Sequence, residues 1–277
     1  ESPAQSWNAI TIGAFTHKIL PETNTVANKF ELSPYSRTSS SWESLWPIKP
    51  EVVFEGGNLA KLENDSIDYH EDLDILTTSS NTAINSFARF NATSAATAFA
   101  SNFLAKLRDV YPNAWPETLR ALMIHSASWN SEMIKQFKID LKKVGDKQKL
   151  LRIFGYGVPN LEKAIECKSN YLTFISEEVI QPYKLDGTIK TNEIHYYEFP
   201  WPSEILANLG SANVTLRITL SYYIEPNPGD KGYSTKYSYQ SCALKFLLID
   251  PTEDFDNFKI RTNRINIENL KDELGVD

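Results

Sequence analysis

The sequence is poor in the residues that build disulfide scaffolds, metal centres and membrane spans. It holds 2 cysteines and 4 histidines in 277 residues. Cys167 and Cys242 lie far apart, and a single pair is a poor disulfide framework for a chain of this size. They read as buried free thiols, which favours a reducing compartment and so the cytoplasm. No cysteine–histidine cluster has zinc spacing. No apolar run is long enough to cross a bilayer, and Glu1-Ser2-Pro3 shows no basic-then-apolar leader pattern, so no membrane partner is expected. Positive charge is also scarce. The 28 basic against 35 acidic residues leave a net charge of -7, which argues against a general nucleic-acid binder, whose usual mark is a basic face. No repeat of solenoid period is present.

What remains is ample for packed cores: 42% hydrophobic and 12% aromatic residues, in a length that suits one large or two ordinary domains. Ala9-Ile10-Thr11-Ile12-Gly13-Ala14 reads as a buried strand. Residues 21–47 are rich in Ser, Thr, Asn and Pro and read as loop. A second strand, Glu51-Val52-Val53-Phe54, follows Lys49-Pro50 and ends in the Gly56-Gly57 turn. The acidic stretch 61–75 reads as an exposed insertion, without EF-hand spacing.

The most informative stretch is Asn91-Ala92-Thr93-Ser94-Ala95-Ala96. Ser94 opens a run of small and apolar residues through Leu107, which predicts a buried helix to about Val110 with the serine in its first turn. Pro112 helps to end that helix. Pro116-Glu117 starts another, with proline at a first-turn position and an acid near the positive end of the dipole. Residues 131–150 are lysine-rich and predict an exposed helix broken near Gly145. Gly155-Tyr156-Gly157 is a tight turn, and Leu161–Cys167 a short helix. From about residue 170 the pattern becomes strand-like: 171–175, 193–199, 214–223 and 242–249 predict a mostly antiparallel β-sandwich. Trp201, Tyr222 and Tyr223 read as packing residues within it, and Pro226-Asn227-Pro228-Gly229 as a turn. The expected domains are 1–170 and 171–277.

Three segments, in order, resemble subtilisin-like serine peptidases. Ser2-Pro3-Ala4-Gln5 with Ala9–Ala14 is similar to the strand that follows the family's oxyanion-asparagine region. Lys49-Pro50-Glu51-Val52-Val53 with Gly56-Gly57-Asn58 is similar to its Lys-Pro-Asp segment. Asn91-Ala92-Thr93-Ser94-Ala95-Ala96 is similar to its Gly-Thr-Ser-x-Ala nucleophile motif. The helices through His125-Ser126-Ala127 and the turn Gly155-Tyr156-Gly157 continue the match, and the tail resembles the C-terminal β-domain of some bacterial subtilases. The resemblance implies an α/β fold, a partial subtilisin-like three-layer parallel sheet, followed by the β-sandwich. It implies peptide-bond hydrolysis of a protein or peptide substrate, with Ser94 as nucleophile and its backbone N–H as an oxyanion donor. It is compatible with calcium, for which the sequence has no motif, and no cofactor is expected.

The sequence also departs from the family. No His-Gly-Thr-His and no Asp-Thr-Gly stretch occurs, and His17, His70, His125 and His195 lack motif support as a base. The chain is therefore expected to be the C-terminal part of a subtilase, inactive alone and completed by the N-terminal half of the same protein. Ala92 stands where the family has glycine, and Ala98-Phe99 where it has proline and histidine. Asn91-Ala92-Thr93 is also an N-glycosylation sequon. Two other readings fit the chain: a catalytically inactive subtilase-like module that binds protein, and a structural β-domain with a degenerate α/β half. Locally, Ser94 also fits a helix-capping serine.

Overall fold

The structure, a computed structural model, describes residues 3–21, 25–42, 46–165, 173–199, 202–225, 243–250 and 252–263. The chain divides into two compact units, Glu1–Thr173 and Phe174–Asp277.

The first unit is built on two short parallel strands. β1 (Ile12–Phe15) pairs with β2 (Val52–Glu55), with Ile12 opposite Val52 and Phe15 opposite Glu55. Successive side chains of a strand point to opposite faces, and both faces here are covered. Ile12, Ala14 and Val52 meet α1 (Ala92–Val110), α2 (Pro116–Ser126) and α5 (Leu161–Ile165) through Ala96, Phe103, Met123 and Ala164. Phe15 and Val53 meet α3 (Ser131–Gln136) and α4 (Val144–Phe154) through Met133, Leu150 and Phe154. This is a mixed α/β unit, helices on both sides of a small parallel sheet. Burial on two sides explains why the strands read as short apolar runs without alternation.

Glu51 joins the parts. Its N–H donates to Thr11 O (2.9 Å), and its carbonyl accepts from Tyr156 N (2.7 Å). Its Oε2 accepts from Thr11 N (2.6 Å) while Oε1 pairs with Lys49 Nζ, which also donates to Ala9 O (2.8 Å). Lys49 and Glu51 are only 3% and 7% exposed. Burial lowers the Lys49 ammonium and raises the Glu51 carboxyl from their ordinary values, and each partner opposes the other's shift. The Gly155–Gly157 turn closes on the same strand: Val53 N donates to Gly157 O (3.0 Å). Gly155 has φ +57°, and a Cβ there would lie 2.1 Å from Glu51 O, so only glycine fits.

Several expectations change. The acidic stretch is not uniformly exposed. It forms a hairpin of β3 (Ala60–Lys61) and β4 (Ile67–Asp68), then a 3₁₀ turn, Glu71–Leu73, with Leu73 and Asp74 buried. Next comes a second hairpin, β5 (Ile75–Thr78) with β6 (Phe87–Phe90), which delivers the chain to α1. The break expected near Gly145 in 131–150 falls instead at 137–143, between α3 and α4, and Gly145 sits in the first turn of α4. Nor is this stretch wholly exposed: Met133 and Leu150 are buried, as are Ile153 and Phe154 just after it. The predicted burial of α1 holds for one face only: Ala95, Ala96, Ala100, Phe103 and Leu107 are buried, whereas Thr97, Ala98, Phe99, Ser101 and Asn102 are exposed.

In the second unit the described residues include a hairpin of β7 (Tyr183–Asp186) with β8 (Thr188–Thr191) and the short α6 (Ser203–Asn208). A β-sandwich is not seen among the described residues: their sheets are two-stranded, and 193–199, 214–223 and 243–249 join no ladder. Strand-like composition supplies a pleated, half-buried surface only when a neighbour pairs with it. Cys167, Cys242, Trp201, Pro226-Asn227-Pro228-Gly229, Tyr171 and Leu172 lie outside the described residues. Tyr223 is 59% exposed and does not pack as expected.

Two outcomes test this core. Lys49→Met leaves a buried carboxylate unpaired and is expected to cost about 3–5 kcal/mol, whereas Lys49→Met with Glu51→Leu is expected to recover much of it; urea unfolding of the three proteins decides. Gly155→Ala forces both a positive φ and a backbone clash, and is expected to lower stability by roughly 2–4 kcal/mol in the same measurement.

Candidate active site

The end of β2 and the start of α1 are tied together. Ala92 N donates to Gly56 O (2.8 Å). A Cβ on Gly56 would lie 2.5 Å from Ala14 Cβ and 3.2 Å from Ala92 O; Gly57, at φ +84°, leaves no room against Leu73 O (2.9 Å). The two glycines let three backbone segments meet. Beyond them Asn58 is fully buried and acts as a clasp. Its Nδ2 donates to Lys18 O (2.9 Å) and Ala27 O (2.8 Å), and its Oδ1 accepts from Ala27 N (3.2 Å) and Leu59 N (2.9 Å). The buried Glu55 braces the same turn, accepting from Gly57 N (2.8 Å) and His17 N (2.7 Å) and pairing with the His17 ring.

Ser94 is the third residue of α1, a 19-residue helix whose cap is Asn91. It is exposed. The capping reading of Ser94 therefore fails: the cap position lies three residues earlier. Ala92, in the place of the family's glycine, takes φ +64°, a left-handed conformation that costs a residue with a Cβ about 1–2 kcal/mol. The backbone there is strained, and the loop keeps a glycine-like shape.

The Asn91 side chain does not cap the helix. Its Nδ2 instead donates to Asp74 Oδ1 (2.8 Å) and to Tyr35 Oη (3.3 Å). Asp74 is buried, with Arg89 Nε 4.0 Å from its Oδ2. The Tyr35 phenol is pushed up to about 12, by burial first and then by the charge of Asp74 and by Tyr69, so it stays protonated. The sequon nitrogen of Asn91 is thus engaged, and a glycan there would displace this contact.

The first N–H groups of a helix have no intrahelical partner. Ala92 N–H is taken by Gly56, but those of Thr93 and Ser94 have no partner among the described residues. An exposed hydroxyl beside open N–H donors at the positive end of a long helix suits attack on a carbonyl whose oxygen becomes negative. Among the described residues no histidine or carboxylate hydrogen bonds to Ser94. His17 sits against Glu55, His70 Nδ1 accepts from Asp72 N (3.2 Å), and His195 lies 3.7 Å from Glu193; His125 is in the last turn of α2. The described residues hold no group of three or more metal-binding side chains, and none of their helices is long and apolar enough to cross a membrane.

Asp74 and Tyr35 are absent from the sequence-based candidates. Asp74 is one acid in an acidic run, and the short run Ile75-Leu76-Thr77-Thr78 just after it, rich in β-branched residues, is a local sign that the run ends in ordered structure.

No curated protein matches the chain. The model of the subtilase family matches residues 1–157, more than half of the chain, from β1 through α4 and including the Ser94 loop. This chain belongs to the subtilase family, a family of serine peptidases.

Proposed function

We propose that this chain carries the nucleophile of a serine endopeptidase and that Ser94 is that nucleophile. The observation that carries the reading is the exposed Ser94 hydroxyl at the start of α1, with the N–H groups of Thr93 and Ser94 open beside it. In the reaction a histidine takes the Ser94 Oγ proton as the Oγ–carbon bond forms. The oxyanion is held by the Ser94 N–H, and the C–N bond breaks as the proton passes to the leaving amine. Water then repeats the sequence on the acyl-enzyme and releases the new carboxylate. The substrate is a protein or peptide.

The histidine and its orienting carboxylate come from the N-terminal half of the same protein. Two observations support this: none of the described histidines hydrogen bonds to Ser94, and the exposed side of α1 over 97–101 carries Thr97, Ala98, Phe99 and Ser101, which are small or apolar. An open, mostly apolar groove adjoins that face; Phe54, Phe99 and Phe103 line it, with His17, Lys18 and Lys106 also on its wall. The isolated chain is then inactive, for want of a base.

The test uses the full-length protein and a fluorophosphonate probe, which reacts with an activated serine. Wild type is expected to be labelled on Ser94, and Ser94→Ala to abolish the labelling. The isolated 277-residue chain is expected to stay unlabelled. A full-length protein that is never labelled, yet binds a protein partner, would show the non-catalytic alternative instead.

A further inference from the structure

Asparagine is among the best helix-capping residues because its side-chain oxygen accepts from the N–H groups of the first turn. Asn91 occupies the cap position of α1 and does not cap. Its amide is drawn the other way, to the buried Asp74 carboxylate at 2.8 Å and the Tyr35 hydroxyl at 3.3 Å. A hydrogen bond to an ionised acceptor is roughly twice as strong as a neutral one, and Asp74 is only 7% exposed, so little water competes for it. Immediately after Asn91 the chain passes through Ala92 at φ +64°. A strained residue persists only where its surroundings over-determine it. Here the two anchors are Asn91 on Asp74 and Ala92 N on Gly56 O (2.8 Å).

We propose that Asp74 is a positioning residue for the nucleophile: by holding the Asn91 amide it keeps that side chain off the helix start, leaves the Thr93 and Ser94 N–H groups open, and fixes the strained Ala92 turn that presents Ser94. Tyr35 supports the same hold on Asn91, its oxygen accepting from the same nitrogen. Losing Asp74 releases Asn91 to do what asparagine does at this position, which is to close the N–H donors that the reaction needs. The proposal rests on the reading of Ser94 as nucleophile.

The pair can be inverted. Asn91→Asp removes the donor and sets two carboxylates face to face. Asn91→Asp combined with Asp74→Asn restores one hydrogen bond with donor and acceptor exchanged. In the full-length protein, Asp74→Ala and Asn91→Asp are each expected to slow fluorophosphonate labelling of Ser94 about tenfold or more, because a small misplacement of a reacting group is costly. The exchanged pair is expected to recover most of that rate. Hydrogen exchange at residues 92–95, read alongside, is expected to slow in Asp74→Ala as Asn91 caps the turn. A merely structural Asp74 would lower the thermal midpoint while leaving the labelling rate of the folded enzyme and the exchange at 92–95 unchanged, and that result overturns the proposal. So does an exchanged pair no faster than Asn91→Asp alone. If Ser94→Ala is labelled as well as wild type, the nucleophile reading falls, and the exchange at 92–95 still decides whether Asp74 governs the helix start.

Discussion

The α/β unit depends on one buried carboxylate. Glu51 gives its N–H, its carbonyl and both carboxylate oxygens to partners in three separate segments: Thr11 at the head of β1, Tyr156 in the turn after α4, and Lys49 beside the sheet. A two-stranded parallel sheet has few ladder bonds of its own and must be held by what surrounds it. Burial disfavours the charge on Glu51 and on Lys49 alike, so the pair is worth keeping for what it fixes and not as net stabilisation. It sets where β1 begins relative to β2. That register carries through four residue pairs to Glu55 and the Gly56–Gly57 turn.

From there the constraint passes to the Ser94 loop through backbone contacts that a side chain would block. Gly56 accepts from Ala92, and Gly57 packs under Leu73 O and Asn91 Cβ. The Ser94 loop is thus located by the end of β2 on one side and by Asp74, just ahead of the β5–β6 hairpin, on the other. Positioning a reactive serine on rigid elements of the scaffold, with locked neighbours, is what gives a site its precision. Strain at Ala92 is tolerated because both of its flanks are tied.

How much of this was legible follows from how local each signal is. The strands around Ile12 and Val52, the helix to Val110 and the start at Pro116 are written in contiguous residues; the structure ends and starts the two helices as read and sets the strands at Ile12–Phe15 and Val52–Glu55, one to three residues later than read. The motif around Ser94 is also contiguous, and it led to the serine. Asp74 was not legible, because its burial is decided by Asn91 and Tyr35 folding over it, and neither is its neighbour in sequence. The split between α3 and α4 was misplaced for a similar reason. Gly145 looks like a breaker in isolation, but the break is made at Phe137–Ile139, where Phe137 and Ile139 turn in to the core beside Met133. The tail is less local still: β-branched and aromatic runs were read as strands, and among the described residues 193–199, 214–223 and 243–249 have no partner strand.

Helix α1 shows where composition and burial part company. Its small residues predicted a buried helix, yet Thr97, Ala98, Phe99, Ser101 and Asn102 are exposed. Small residues on a helix cost nothing in water, but they earn their place only when another backbone comes close. Phe99, 43% exposed, gains nothing from solvent. A face of alanine, serine and threonine edged by phenylalanine is the surface expected where a further layer packs directly on the helix, and it begins one turn after Ser94. On the proposed reading that layer is the polypeptide that brings the histidine. Covering the face and completing the catalytic group are then a single event, and the serine gains its base only when α1 loses its water.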